Sequence, residues 1–442
     1  MSAKRFLHFI FTATLTLLSS FTAASSFLIL EQSPAHLGTA FSGTASNIGD
    51  ASTVFFNPAG MSWLDESTAS VGGNLILVQS QFHDNGSTTG GSTSETDEPG
   101  LVPNVYFVQP MSAGWTFGFG LNAPFGLASS YSDNWIGRYL ATESELEVVN
   151  LNATFAYQFN ERFSLGAGLN YQRVDVTLKS QIDSTLGVNP DPVSDSSATI
   201  RGDDDAVVLD LSAHFRPVDG TALGLTWRQG GDFSLSGDAV FEPNTLCTPN
   251  AGFPTGAPPA PTTGTLCAGA LAALAGDVLA DVELPDTLTL SASQAITDQW
   301  SVHGDIAWTR WSSINSIEIE NTSNNAIVDT LDLRYDDTMR YALGTSYRTH
   351  GPWTLRAGIA VDEAPQTDPV FVSPRIPDQD RIWLSAGVNY EISDTISVDA
   401  GYAHLFVDDS HIDNLDPQTG HHVIGSFDAN VDIVGVQANW RF

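Results

Sequence analysis

From Thr68 to the C-terminus, stretch after stretch alternates apolar and polar residues with a period of two. This is the spacing of a β-strand whose two faces meet different surroundings. In Arg381–Tyr390, Ile382, Leu384, Ala386, Val388 and Tyr390 share one face, and Arg381, Trp383, Ser385, Gly387 and Asn389 share the other. Leu355, Ala357 and Ile359 oppose Thr354, Arg356 and Gly358 in the same way, and Val207, Leu209, Leu211, Ala213 and Phe215 oppose Val208, Asp210, Ser212, His214 and Arg216. A soluble sandwich and a membrane barrel both alternate, and three features favour the barrel. The polar face carries Arg, Asp, His, Asn and many Gly, as a wet or ligand-lined lumen requires. Tight turns (Asn160-Glu161-Arg162, Thr297-Asp298-Gln299, Ser393-Asp394) alternate with long connections (Ser180–Ile200, Gly237–Pro285, Asp408–Phe427), the habit of periplasmic turns and outer loops. Trp115, Trp300, Tyr347, Trp353 and Trp440 cluster near strand ends, where interfacial girdles form.

The expected fold is all-β, a 14-stranded antiparallel transmembrane β-barrel, the even count that bacterial barrels show. The predicted strands run from Thr68–Gln81 and Val102–Pro110 to Thr395–Val407 and Asp428–Phe442. On the last one Val434, Val436, Ala438, Trp440 and Phe442 share the outward face. A terminal aromatic on such a strand resembles the signal read by the barrel assembly machinery, which makes Trp440 and Phe442 candidates for it.

Met1–Ala24 reads as a signal peptide: Lys4 and Arg5, the apolar stretch Phe6–Phe21, then small residues before cleavage ahead of Ser25. An uncleaved helical anchor is the rival reading, and the apolar core is short for a span. No further transmembrane helix is expected, so the location implied is the Gram-negative outer membrane. The net charge of -34 excludes nucleic acid as a partner, because phosphate binding needs clustered Lys and Arg. Such acidity fits outer loops with divalent cations among them, or simply a solvated acidic surface. The only two cysteines, Cys247 and Cys267, fall in one Pro/Gly/Thr-rich segment, and in an exported protein they are expected to form a loop disulfide. No CxxC pattern or metal site is read.

Ser25–Leu64 does not alternate. It is too apolar (Phe27, Leu28, Ile29, Leu30, Phe41, Phe55, Phe56) for a free tail and too small-residue-rich to build its own core. It is either a plug folded into the lumen or a leader before the first strand. The division expected is 1–24 signal peptide, 25–66 N-terminal hatch and 67–442 transmembrane barrel.

Here particular residues bring a resemblance. Ser26-Phe27-Leu28, Leu37-Gly38-Thr39-Ala40-Phe41-Ser42-Gly43, the hatch motif Asn57-Pro58-Ala59, and Ile376-Pro377-Asp378-Gln379-Asp380-Arg381-Ile382-Trp383-Leu384 are similar to segments of the FadL/TodX family of outer-membrane transporters. The likeness covers the mature chain and is weakest around Cys247 and Cys267. It implies a monomeric barrel, plugged by a hatch, that passes hydrophobic molecules through the outer membrane among its lipids. It also implies a substrate site, for which Phe27, Leu28, Phe125 and Arg173 are candidates, and an outer capture groove with Leu271 and Leu274. The ligand is a long-chain fatty acid or an aromatic or aliphatic hydrocarbon.

Further features are read from the residues themselves. Between Tyr171 and Val174 the alternation slips, which suggests a bulge that would turn Arg173 toward the lumen. Arg340, Arg356 and Arg381 also lie on lumen-facing registers, where pairing with acidic lumen residues is the plainer role. At Asn122-Ala123-Pro124-Phe125-Gly126 a proline without an N–H either ends the third strand or kinks it inward and opens the wall; Asn122, Ala123, Pro124 and Gly126 are the candidate lateral gate. Gly264–Glu283, with Leu266, Leu271, Leu274, Val278 and Leu279, could form a helical apolar stripe. Enzyme readings are weak. His303 and Asp305 share the lumen face, His421-His422 lie in a loop, and no nucleophile accompanies either pair. No P-loop occurs and no cofactor is expected. A general porin and an outer-membrane hydrolase are the remaining alternatives.

Overall fold

A computed structural model describes residues 26–96, 99–416 and 419–442. The expected signal peptide and the new terminus at Ser25 lie outside the described residues. The wall is one closed antiparallel sheet of 14 strands. We number them β1 Thr68–Asp84, β2 Pro99–Pro110, β3 Trp115–Asn122 with Gly126–Ser130, β4 Glu143–Asn160, β5 Phe163–Ile182, β6 Ser196–Phe215 and β7 Thr221–Arg228 with Gly231–Glu242. Then come β8 Gly276–Leu284 with Thr287–Ala295, β9 Trp300–Thr309 with Ser316–Asn321, β10 Ile327–Asp332 with Thr338–Arg348, β11 Trp353–Asp362, β12 Arg381–Ser393, β13 Ile396–Val407 with Ser410–Leu415, and β14 His422–Arg441. β14 closes on β1 from Thr68↔Arg441 to Asp84↔Gly425. Pairing the last strand with the first leaves neither with a free edge, which is what hydrocarbon demands of a sheet.

Outward side chains fit lipid: Leu165, Leu169, Leu211, Leu343, Leu384 and Val436 are all exposed. At the end of the barrel with tight turns, Trp115 packs at a tilt against Tyr157 (centroids 4.8 Å apart) and Trp353 against Tyr390 (4.4 Å), an aromatic girdle. Several strands are longer at the other end than their alternation suggests. Much of the expected loop Gly237–Pro285 is wall, since β7 runs to Glu242 and β8 begins at Gly276. The same is true at Ser316–Asn321 and Ile327–Asp332. The helix expected to reach Glu283 stops at Leu274, and Val278 and Leu279 belong to β8.

The reason lies in the solvent on each face. On β7, Asp232 and Ser234 are exposed while Phe233 and Leu235 are buried; on β8, Asp277 and Asp281 are exposed while Val278 and Ala280 are buried; on β9, Glu318 and Glu320 are exposed while Ile319 is buried. Amphipathicity is inverted where the wall rises out of the hydrocarbon layer. Outside there is water, and inside there is an apolar chamber.

Residues 26–64 lie among the lumen-facing side chains. The segment forms two single-turn helices, α1 Pro34–Leu37 and α2 Thr53–Phe56, and a 3-10 turn Pro58–Trp63. Phe41, Val54, Phe55 and Met61 are buried in one cluster with Tyr106, Trp383, Leu405 and Ile433 of the wall. Lumen glycines admit its backbone: a Cβ on Gly387 would stand 2.7 Å from the Gly38 Cα. Polar wall residues hold the segment. Asp305 accepts from the amides of Gly43 (2.7 Å) and Thr44 (3.1 Å), Arg340 donates to the Ala40 carbonyl (2.8 Å), and Arg228 donates to the Phe55 carbonyl.

Candidate functional site

The inverted segments enclose a cavity of about 980 Å³ between its walls, mouth included. Val174, Val176 and Leu178 of β5 line it with Ile200 of β6, Phe233 and Leu235 of β7, Val278, Ala280, Val282 and Leu284 of β8, and Ile317 and Ile319 of β9. Phe27 of the N-terminal segment also lines it, edge-on to Trp311 at 4.8 Å and 6.2 Å from Phe125. Such a lining offers a long alkyl or aryl group the full burial free energy, about 0.8 kcal/mol per CH2.

One buried cation faces this greasy wall. Arg375, 4 % exposed, lines the cavity from the loop between β11 and β12. Its Nη1 donates to Ser144 Oγ at 3.1 Å and to the Glu143 carbonyl at 3.3 Å. The nearest carboxylate, that of Asp329, stands 3.7 Å from Nη2, and Nε has no hydrogen-bond partner. A ligand carboxylate is the natural complement of such a group.

β3 breaks at Ala123-Pro124-Phe125. Below the break β2 and β3 pair from Pro110↔Thr116 to Val105↔Leu121. Above it Gly126–Ser130 pair with β4 alone, and Pro99–Asn104 pair with β1 alone. Among the described residues the ladder between β2 and upper β3 is therefore open. The kink leaves Pro124 between two hydrogen-bonded runs of the same strand, a place where a residue without N–H costs nothing. Beneath it an amide ladder crosses four strands: Asn150 Nδ2 donates to Asn122 Oδ1 (2.9 Å), Asn122 Nδ2 to Asn152 Oδ1 (2.6 Å), Asn152 to Asn170, and Asn170 to Asp210 (2.8 Å).

The chain belongs to the OMPP1/FadL/TodX family of outer-membrane transport proteins. The family model, described as "Outer membrane protein transport protein (OMPP1/FadL/TodX)", matches residues 15–442. Outer membrane protein P1 of Haemophilus influenzae is 29% identical over 430 residues, covering 91% of this chain and 90% of its own. The long-chain fatty acid transport protein of Escherichia coli K12 is 28% identical over 411 residues, covering 88% and 89%. In fold the chain is similar to a Pseudomonas aeruginosa FadL homologue (TM-score 0.82, 22% identity, 94% and 100% covered) and to the Pseudomonas putida toluene transporter TodX (0.67, 15%, 95% and 100%). As a FadL/TodX-type protein it is an outer-membrane transporter of hydrophobic compounds and not an enzyme.

The structure distributes the predicted residues unevenly. Phe27 lines the main cavity; Leu28 faces a second space, deeper in the lumen, with Phe55, Phe56, Arg228 and Arg340. Phe125 is buried and bridges Leu28 in a short antiparallel contact. Asn57 Nδ2 donates to the Ala45 carbonyl (2.5 Å) within the N-terminal segment, and the Ala59 amide donates to Ser212 Oγ of the wall (2.9 Å). Cys247 and Cys267 are disulfide-bonded, Cα atoms 5.2 Å apart, and Leu271 packs on that bridge. Leu271 and Leu274 do not line the cavity. Trp440 and Phe442 share the outward face of the last strand, where the Phe442 amide donates to the Ser67 carbonyl at 2.9 Å.

Arg173 corrects the expectation made for it. There is no bulge: pairing runs unbroken through Tyr171↔Val207, Arg173↔Asp205 and Asp175↔Asp203. The faces keep their sides and exchange their polarity. Outward, Tyr171 gives way to Arg173 and Asp175; inward, Gln172 gives way to Val174 and Leu178. Arg173 stands outside the barrel, paired with Asp203 at 2.8 Å and Asp175 at 3.3 Å. Arg356 pairs with Asp399 at 2.5 Å and Arg381 with Asp378, the plainer role foreseen for them. His303 contacts Ser293 (2.9 Å) and Ser346 (2.7 Å), while Asp305 serves the plug segment. Arg375 was missed because it lies in a non-alternating loop, where sequence gives no face; its one signal is its position directly before Ile376-Pro377-Asp378.

Proposed function

We propose that this transporter carries long-chain fatty acids by diffusion down a gradient. Outer loops capture the ligand, the chamber behind Phe27 holds it, and the interrupted third strand releases it sideways into the membrane, with the protein acting as a monomer. The observation that carries the choice of substrate is Arg375, a buried, incompletely partnered guanidinium in an otherwise apolar chamber. A hydrocarbon would leave its Nε without an acceptor and its charge balanced only by Asp329 at 3.7 Å, whereas a fatty acid carboxylate adds a second anion and lays its tail along Val174, Leu178, Leu235 and Val278. The fatty acid transport protein of E. coli, similar along nearly the whole chain, points the same way. Mass spectrometry of what co-purifies with the folded barrel tests the substrate directly. Arg375→Met should weaken binding of a C18 acid and leave the C18 alkane unaffected. If both ligands bind the variant as they bind the parent chain, the acid reading fails.

The second reading is a hydrocarbon channel. The almost wholly apolar lining favours it, and fold neighbours named toluene transporters share the architecture. Co-purified alkanes or aromatics would decide for it.

A further inference from the structure

A smaller space lies beside the main chamber, against the inner faces of three wall strands. Val78 and Ser80 of β1, Val407 of β13, and Ala429 and Val431 of β14 form one side of it, and Leu127–Ser129 of upper β3 form the other. Its level is set by the ladder. Val78 follows Leu77, the partner of Pro99, so the space opens just above the top of the stretch where β2 lacks a β3 partner. Arg381, bonded to Asp378, gives it a polar corner.

The two spaces have two lining residues in common, Leu127 and Ile376. Leu127 comes from the kinked strand and Ile376 from the loop between β11 and β12. Two hydrogen bonds hold these elements together beside that contact: Ser129 Oγ donates to the Arg375 carbonyl at 3.2 Å, and Tyr131 Oη donates to the Pro374 carbonyl at 2.7 Å. The same loop is tied to the plug segment, since the Ser26 amide donates to Asp378 Oδ2 at 2.6 Å. The loop thus sets Arg375 into the main chamber, Ile376 on the partition, and Arg381, at the start of β12, in the side space.

We propose that the side space is a transit site for the alkyl chain of an amphiphilic acid, and that Leu127 and Ile376 are the partition the ligand must part to reach it. This rests on the sideways release proposed above. An apolar partition costs a passing alkyl chain little, because contacts broken between the two side chains are remade with the ligand, whereas water gains nothing by parting them. Leu127 and Ile376 therefore let lipid through a wall that stays closed to ions. The buried arginines on either side give the carboxylate a cation at both ends of the step.

The test separates binding from passage. Ala429→Trp fills the side space from the wall and touches neither the main chamber nor the plug segment. Equilibrium binding of a fluorescent C18 polyene acid to the purified barrel should be unchanged, while uptake of the same acid by cells falls about tenfold or more, a barrier rise of about 1.4 kcal/mol. Val407→Phe fills the same space from another strand and should act alike if Ala429→Trp does not assemble. Leu127→Ala, which lowers the partition, should raise uptake. Parent-like uptake by both filled variants would overturn the transit site. A disulfide across the β2–β3 gap, from A123C to P103C, tells the two failures apart. If that cross-link stops uptake while the filled variants do not, sideways release stands and the transit site is wrong. If neither stops it, both fall.

Discussion

The amide of Ile29 donates to the carbonyl of Pro124 at 2.9 Å. Beside it the Gly126 amide donates to the Phe27 carbonyl at 2.9 Å, and Gln32 Nε2 donates to the Ala123 carbonyl at 2.6 Å. Residues 27–32 of the N-terminal segment thus supply hydrogen-bond partners to the backbone at the break, with Leu28 and Phe125 forming an isolated antiparallel bridge. Backbone groups freed by the kink would be costly facing lipid; turned inward, they find these partners.

Gln32 gives this pairing a handle, because its amide oxygen also accepts from the Ala123 N–H at 3.3 Å. Gln32→Leu keeps the bulk and removes both bonds, leaving buried backbone groups unpaired at a cost of about 1–3 kcal/mol. Hydrogen exchange at Ala123 should accelerate accordingly while the amides of β11 and β12 keep their parent protection. Unaltered exchange at Ala123 would mean that water already serves these groups.

A plug that fills the lumen should keep ions out. Removing residues 25–50 takes away the backbone that packs against Gly387 and that Asp305 and Arg340 hold. The wall closes by itself through β1 and β14. The truncated chain should still show heat-modifiable migration, and in planar bilayers it should conduct, whereas the full chain should not. A folded truncation that conducts no better than the full chain would show that the segment does not block the lumen.

The outer loops are clasped by a titrating group. Asp183 sits in the loop after β5, 3.2 Å from His421 Nε2 in the loop before β14. Burial pushes its carboxyl upward, but hydrogen bonds from His421, from the Thr185 side chain and amide, and from the Gly187 amide outweigh this and hold it down at about 2. A carboxyl lowered in the folded state stabilises at pH values above its unfolded value near 3.8, and that stabilisation is lost as the pH falls through about 2. The clasp should therefore persist through mildly acidic conditions. Asp183→Asn should expose the chain at residues 419–421 to protease on intact cells at neutral pH. Cleavage at the parent rate would show that Asp183 does not hold that loop.

The terminal aromatic can be tested without touching the lumen. Phe442 is 73 % exposed on the lipid face, so its loss costs little packing. Deleting it should slow the appearance of folded barrel in cells if the assembly machinery reads it, with the same stability once folded. Parent levels of folded barrel throughout would remove that role.

The wall was legible in the sequence because lipid and lumen impose opposite demands on alternate residues, and Val207–Phe215 or Arg381–Tyr390 state this without help from the rest of the chain. Above the membrane the demands reverse, so at Arg173 the letters look like a slipped register although the pairing is continuous. A period-two reading assumes that the apolar face is the outward one, and it fails where that assumption fails. Pro124 announced a break in β3, since proline lacks a donor wherever it stands. Arg375 could not be found this way. Its significance comes from chain-distant residues, Val174, Leu235 and Val278, that surround it with hydrocarbon, and its own loop has no periodicity to place it.

An alkyl chain gains nothing by entering periplasmic water; moving sideways into the membrane avoids exposing about 0.8 kcal/mol per CH2. The open ladder between β2 and upper β3 gives such a path, and continuing the register of Val105↔Leu121 would put Pro103 opposite Ala123. Ala123→Cys with Pro103→Cys, in a chain whose Cys247 and Cys267 are both changed to Ser, gives a single pair that can bridge the gap. Oxidation should abolish uptake of a long-chain acid and leave its binding in the chamber intact, and reduction should restore uptake. Because Cys247 and Cys267 are absent, restoration cannot come from loosening the outer loop. Full uptake by the completely cross-linked chain would mean that the ligand passes the plug toward the periplasm instead, and the truncation lacking residues 25–50 would then be expected to take up acid faster than the full chain.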